Sequence, residues 1–278
     1  AKNPKIDAIA VTVGPGLEPA LWVGITFAEE LAKKLKIPVI PVNHMEGHIF
    51  SIFPNKTKTF KVDTKAKIFP MLSLLISGGH TEIVLVKDWM KYKIIGATRD
   101  DACGEAFDKV ARMLGLPYPG GPEISRLAKL EREKKPSNII LPRPMIHSKD
   151  YDFSFSGLKT AVLYYIRDYG PLTEKMKNEI AREFEDAVTD VLVSKTIKAV
   201  KAYKIKTLIV GGGVSANTYL QKILKKKIKE IGQKVTIHFP TKNLSTDNAL
   251  MIAIAGYFQY KKKGVGKNKL KAVGNLAL

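Results

Sequence analysis

The stretch FPMLSLLISGGHTEIVLVKDWMKYKIIGA (residues 69–97) decides the fold. Its runs FPMLSLLIS (69–77), TEIVLVK (81–87) and KYKIIGA (91–97) are short, rich in Leu, Ile and Val, and separated by only a few residues. Such runs predict three strands in succession, the first two joined by a tight Gly-Gly turn. A helical pattern follows at ACGEAFDKVARMLGL (102–116), with Phe107, Val110 and Leu114 on its core side. Beyond a Pro- and Gly-rich insertion of helical pattern at about 117–205, KTLIVGG (206–212) reads as a strand. VSANTYLQKILKKKIKEIG (214–232) then reads as a helix, KVTIHFP (234–240) as a strand and STDNALMIAIAGYFQYKKK (245–263) as a helix.

The order βββα, insertion, βα, βα is that of a ribonuclease-H-like lobe, the unit duplicated in the actin, sugar-kinase and Hsp70 group. Upstream there is less. Residues 7–14 read as a buried strand ended by GPGL, 18–36 as a helix, 37–42 as a strand, and HMEGHIFSIF (44–53) as a helix or helical turn. The polar, lysine-rich NKTKTFKVDTKAK (55–67) reads as an exposed connector. The expectation is an α/β protein of two lobes. Residues 1–66 form a partial first lobe, and 67–278 form a second lobe carrying the helical insertion. If the lobes are duplicates, the first lacks its opening three strands and a helix, and the chain reads as N-terminally incomplete.

The chain has 278 residues, 45% hydrophobic and 26% charged, which is a globular composition. Its net charge of +20 creates a field that favours a polyanion such as nucleic acid, although lysine-rich chains also arise from genome composition alone. Cys103 is the single cysteine, which excludes an intrachain disulfide and a cysteine-rich zinc site and fits a reducing cytosol. No apolar run approaches the ~20 residues of a membrane span, and the first residues are not a secretory signal.

Two glycine-rich turns sit where a two-lobed fold of this kind binds nucleotide. SGGHT (77–81) exposes backbone N–H groups that can cradle a phosphate. GGGVSAN (211–217) stands before a helix, whose N-terminus favours an anion. Either alone is an ordinary strand connection, and Ser215 or Asn217 can simply cap a helix. Together, in this order, they favour a phosphate-bearing ligand. Glu105 and Asp108 share a helical face beside Lys109, which is a solvated surface or, for Asp108, a reach to ligand hydroxyls.

In PVNHMEGHIF (41–50), His44 and His48 are four apart and share one helix face. Imidazoles so placed suit zinc or iron(II). The zinc-protease pattern needs a glutamate directly after the first histidine. Here Met45 holds that position, and Glu46 lies roughly 200° around the helix from His44. The protease reading fails on that geometry. A carboxylate is the natural third ligand, and Asp247 is a candidate, although Ser-Thr-Asp before an apolar helix is also a cap signature.

Taken in order, VGPGL, NHMEGH, LLISGGHTEIVLV, GEAFDKVARMLGLPYPGGP, DFSFSGLKTAV, GGGVSAN and STDNALMIA closely resemble the bacterial TsaD family, once labelled O-sialoglycoprotein endopeptidases. The resemblance runs from the first strand through Gly256. His80 in SGGHT matches the bacterial members, since archaeal ones carry asparagine there. The resemblance implies transfer of a threonylcarbamoyl group from threonylcarbamoyl-AMP to N6 of adenine 37 in tRNAs reading codons that start with A. It implies His44, His48 and Asp247 as ligands of one divalent metal, iron(II) being the usual assignment and zinc the alternative. Leu75, Ile76, Ser77, Gly78, Gly79, Asp108, Gly121 and Asn217 become the substrate-binding set. Ser125 stands where many relatives have aspartate.

A carbamoyl-phosphate anhydride is already activated, so no covalent nucleophile is required. No general base stands out; His80 is a candidate, and as a turn residue it also has the plain role of shaping its loop. The implied partners are tRNA, a TsaB-like paralogue docking on first-lobe helices such as 18–36, and a TsaE-like ATPase, all in the cytoplasm. The tRNA contacts are sought among KKKIK (225–229), KKKGVGKNKLK (261–271) and the lysines of 56–67. The rival readings are a small-molecule phosphotransferase of the same fold and an inert nucleotide-binding fragment. The histidine pair weighs against the former, because magnesium prefers oxygen ligands.

Overall fold

A computed structural model describes residues 5–51, 68–134, 139–241, 244–264 and 269–278. The connector 55–67, with its lysines and the lobe boundary expected there, lies outside the described residues. The described chain forms two sheets. The larger has five strands, β3 (Met71–Ile76), β4 (Thr81–Asp88), β5 (Lys91–Ala97), β6 (Thr207–Gly211) and β7 (Thr236–His238), in the spatial order β5-β4-β3-β6-β7. The first three form an antiparallel meander, and β6 and β7 add in parallel to the other edge of β3. The smaller sheet pairs β1 (Ile9–Gly14) in parallel with β2 (Val39–Asn43), connected by α1 (Glu18–Leu35).

Every residue of β3 is buried. Alternation explains how one strand serves two cores. Leu72, Leu74 and Ile76 join the main core, to which α3 (Cys103–Met113), α4 (Gly120–Arg132), α5 (Ser156–Tyr169) and α6 (Glu174–Ala202) contribute. Met71 and Leu75 face the opposite way and pack with Met45 and Ile49 of α2 (His44–Phe50). Burying a Leu or Ile side chain of this kind stabilises by roughly 1.5–3 kcal/mol. Residues of α4, α5 and α6 thus share a core with one face of β3, and α6 contacts β3 directly.

The last helix, α8 (Ala249–Lys263), follows β7 in the chain yet packs against β1, β2 and α2. Two glycines permit this. A Cβ on Gly256 would lie 2.5 Å from the Ala10 Cβ, and one on Gly47 would lie 2.9 Å from the Ile252 Cδ1. Phe50 of α2 stacks on Phe258 of α8 at 4.8 Å between centroids. Residues 269–278 continue onto the same sheet, where the Val273 N–H donates to the Val13 carbonyl at 2.8 Å. The helix predicted over 245–263 begins at Ala249, because Asn248 is its cap and accepts from the Met251 N–H at 2.9 Å. That shift leaves Asp247 outside the helix. Similarly, the helix predicted over 214–232 divides into a 3-10 turn, Gly213–Ala216, and α7 (Thr218–Glu230), with Asn217 as cap.

Candidate functional site

An open cleft of about 870 Å³ lies where the two sheets meet, lined on one side by Thr12, Pro15 and Leu17 and on the other by Ser77, Gly78, Gly79 and Gly213. His44, Asp247 and Asn248 line it as well. A volume of that size accommodates a nucleotide.

The helix α2 presents three faces to three surroundings. Asn43 caps it, accepting from the Met45 N–H at 2.8 Å. Met45 and Ile49 anchor it to the five-stranded sheet, and Phe50 fastens it to α8. The remaining face carries His44 and His48, their rings edge to face with centroids 4.8 Å apart. Asp247, released from the helix that follows it, brings its Oδ1 to 3.2 Å from the His44 Nε2 and 3.3 Å from the His48 Nε2. The His pair holds the Asp247 carboxyl well below the usual carboxylate range, His44 contributing most.

These three side chains fit a metal ion. One nitrogen from each histidine and one aspartate oxygen lie within 4.8 Å of one another. The 3.2 and 3.3 Å donor separations are of the order expected between ligands bound at about 2.0–2.1 Å to one ion. His48 is 1% exposed, and neither of its ring nitrogens makes a hydrogen bond; its approach to Asp247 lacks hydrogen-bond alignment. A buried imidazole without such a partner is costly, and metal coordination would supply one. Glu46 points elsewhere: it is 8% exposed, hydrogen-bonded to Tyr92, and burial pushes its carboxyl up to about 7.

Opposite the triad, the turn after β3 is held open. The Ser77 N–H donates to the His80 carbonyl at 2.8 Å, and the His80 N–H donates to the Ser77 hydroxyl at 3.1 Å. The N-terminus of α3 abuts this turn, where the Gly104 N–H donates to the Ser77 carbonyl at 3.1 Å. A Cβ on Gly104 would meet that oxygen at 2.7 Å, so only glycine allows the approach. Gly78, Gly79 and Gly213 would meet nothing within 4 Å and leave backbone bare to the cleft. His80, also on the cleft, has its pKa lowered by burial first and then by His44 and His48.

The other residues singled out from the sequence are distributed differently. Leu75 and Ile76 are fully buried, their side chains committed to the two cores. Asp108 accepts from the Gly120 N–H at 2.7 Å, and the adjoining Gly121 faces open space. Asn217 is engaged on both ends. Its oxygen accepts from the Leu220 N–H at 2.9 Å, and its amide donates to Glu185 at 2.6 Å and Ser125 at 3.1 Å. Glu185 is fully buried and also paired with Arg132. This network was not legible in the sequence, because its members are 32 to 92 positions apart.

A family model described as "TsaD: tRNA N6-adenosine threonylcarbamoyltransferase" matches residues 1–254. A Thermosipho africanus protein named tRNA N6-adenosine threonylcarbamoyltransferase is 46% identical over 277 residues, covering 99% of this chain and 79% of that protein. A protein of the same name from Moorella thermoacetica is 42% identical over 274 residues, covering 98% and 76%. Among solved structures, the HypF of T. kodakarensis superposes with a TM-score of 0.65 at 14% identity, over 95% of this chain but 42% of that one. That likeness bears on the fold alone and agrees with the two-lobed architecture expected from the strand order. The family match, the two relatives and the triad of the NHMEGH and STDNALMIA motifs lead to one conclusion: the chain belongs to the TsaD family of tRNA N6-adenosine threonylcarbamoyltransferases.

Proposed function

We propose that the chain transfers the threonylcarbamoyl group from threonylcarbamoyl-AMP to N6 of adenine 37 in tRNAs that read codons starting with A. The observation that carries this reading is the convergence of His44, His48 and Asp247 on a cleft floored by the bare Ser77–Gly79 turn. The donor is an activated anhydride, so the task is to hold it, orient the adenine amine and stabilise charge on carbonyl and phosphate oxygens. A divalent ion on the triad, iron(II) or zinc, would supply Lewis-acid stabilisation of those oxygens.

The chain's own groups supply the rest. Backbone N–H groups of Gly78 and Gly79, backed by the α3 N-terminus, favour the phosphate. Asp108, Gly121 and Asn217 complete the substrate set in this reading. The pKa of His80 is lowered, so its ring is neutral at physiological pH and is our candidate to take the proton lost by the attacking amine. N6 bonds to the carbamoyl carbon as the bond from that carbon to the phosphate oxygen breaks, and AMP departs with the electron pair of the broken bond.

The tRNA backbone is the polyanion that the net charge of +20 awaits. Lys222, Lys225, Lys226, Lys227 and Lys229 concentrate that charge on α7, and Lys261, Lys262 and Lys263 on the end of α8. The outer face of α1 exposes Trp22, Val23 and Phe27 around an apolar groove, which supports docking of a TsaB-like paralogue there. A TsaE-like ATPase completes the partner set. No described helix is long and apolar enough to cross a membrane; a tRNA substrate supports a cytoplasmic location in this reading. The test is transfer of labelled threonylcarbamoyl to tRNA by the chain with these partners. Asp247→Ala and the His44→Ala, His48→Ala double variant are expected to abolish it; normal transfer by both after metal stripping would overturn the reading.

A further inference from the structure

We propose that Tyr118 is a stacking platform for an adenine ring in the cleft, an assignment that rests on the transferase reading above. Tyr118 is 84% exposed, the highest exposure of any described aromatic side chain among the large hydrophobics, and it lines the cleft with His44, Asp247 and the glycine turn. It is also the only Phe, Tyr or Trp among the described residues lining that cleft. No described residue hydrogen-bonds it or stacks on it.

The loop that carries Tyr118 is anchored two residues on. The Gly120 N–H donates to Asp108 at 2.7 Å, and a Cβ on Gly120 would lie 2.4 Å from the Ala111 Cβ. The chain is thus pressed onto α3 at a point where no larger residue fits. An exposed tyrosine on an anchored loop loses little freedom when a flat ring covers it, since only two side-chain torsions are involved. Stray surface aromatics need no explanation in general. This one differs in lining the same cleft as Gly78, Gly79 and Gly213, where an added Cβ would meet nothing within 4 Å.

Both reactants carry the same flat ring. The adenylate brings one adenine, and the tRNA brings its target adenine, unstacked from its loop so that N6 can react. Aromatic stacking is the sequence-tolerant way to hold such a base, with hydrogen bonds elsewhere supplying identity. The shared chemistry is therefore an adenine face, and the two sources are separated by experiment.

Tyr118→Leu and Tyr118→Phe are compared with the unaltered chain, in complex with its paralogue, in titrations with AMP, with tRNA and with the same tRNA made abasic at the target position. Stacking predicts that the Leu variant loses roughly tenfold or more in affinity for one adenine source. Loss for AMP alone assigns the adenylate. Loss for tRNA alone, with abasic tRNA bound equally by all three proteins, assigns the target base. The Phe variant is expected to match the unaltered chain in either case. The proposal fails if the Leu variant binds AMP and tRNA within twofold of the unaltered chain, if the Phe variant is as weak as the Leu variant, or if the unaltered chain binds neither ligand. Absence of transfer by the unaltered chain overturns the functional reading alone, because these titrations read binding directly.

Discussion

Replacing Glu46 by glutamine should stabilise this protein at alkaline pH and leave it nearly unchanged in mild acid. Glu46 is buried on the back of α2, where burial raises its carboxyl from 4.5 to about 7. Lys263 and hydrogen bonds from Tyr92 and the Asn43 backbone pull the other way without cancelling the effect. In the unfolded chain the group ionises near its ordinary value. Between about pH 4.5 and 7 the native state therefore holds the extra proton, and stability falls as pH rises through that window. Above pH 7 both states are ionised and the full cost stands. At about 1.4 kcal/mol per pH unit, it is about 3 kcal/mol. Glutamine keeps the shape and a hydrogen-bonding group but never ionises. Urea unfolding of chelator-treated protein should then show Glu46→Gln about 3 kcal/mol more stable at pH 8 and within about 1 kcal/mol at pH 5. An equal difference at the two pH values would refute the reasoning, because a packing effect has no reason to titrate.

Metal titration of chelator-stripped protein should show one tight site, weakened more than a hundredfold by His44→Ala, His48→Ala or Asp247→Ala; binding that survives all three places the ion elsewhere. Gly212→Ala should destabilise by about 1–3 kcal/mol, since φ is +86° and the added Cβ would lie 2.4 Å from the Ile76 carbonyl oxygen. Denaturant midpoints check this, and a neutral result would mean that the β3–β6 junction yields readily. The affinity for tRNA should fall steeply with salt, by about 0.9 in log affinity per log unit of salt for each phosphate neutralised. A flat dependence would dissociate the basic surface from tRNA binding.

Much of the fold was legible because its strands are short apolar runs and its helices carry regular spacing. The meander β3–β4–β5 came directly from three such runs in succession, and the order of the later elements followed. The His44–His48 half of the site was equally plain, since i and i+4 share a helix face whatever the tertiary fold. Asp247 was harder. Its local signal is that of a helix cap, and only the docking of α8 on β1 and β2, through Gly256 against Ala10 and Phe258 against Phe50, carries it to the histidines. Asn217 shows the reverse difficulty. GGGVSAN points to a ligand, while Glu185 and Ser125, which occupy its amide, are brought to it by α6 and α4 from remote parts of the sequence. Tyr118 lies within LPYPGGP, where nothing local distinguishes a cleft-facing tyrosine from any other loop aromatic.

The placement of α8 also bears on how the protein is made. During translation His44 and His48 leave the ribosome early, and the five-stranded sheet that supports α2 is completed only when β7 follows much later. Asp247 arrives after that, and α8 must then fold back across β1 and β2 before Asp247 meets the two histidines. A chain cut between Asn217 and Asp247 has both glycine turns and the histidine pair, but no complete triad. An ion held by the proposed triad would therefore need a polypeptide translated and docked through α8, and a shorter nascent one would lack the third side chain.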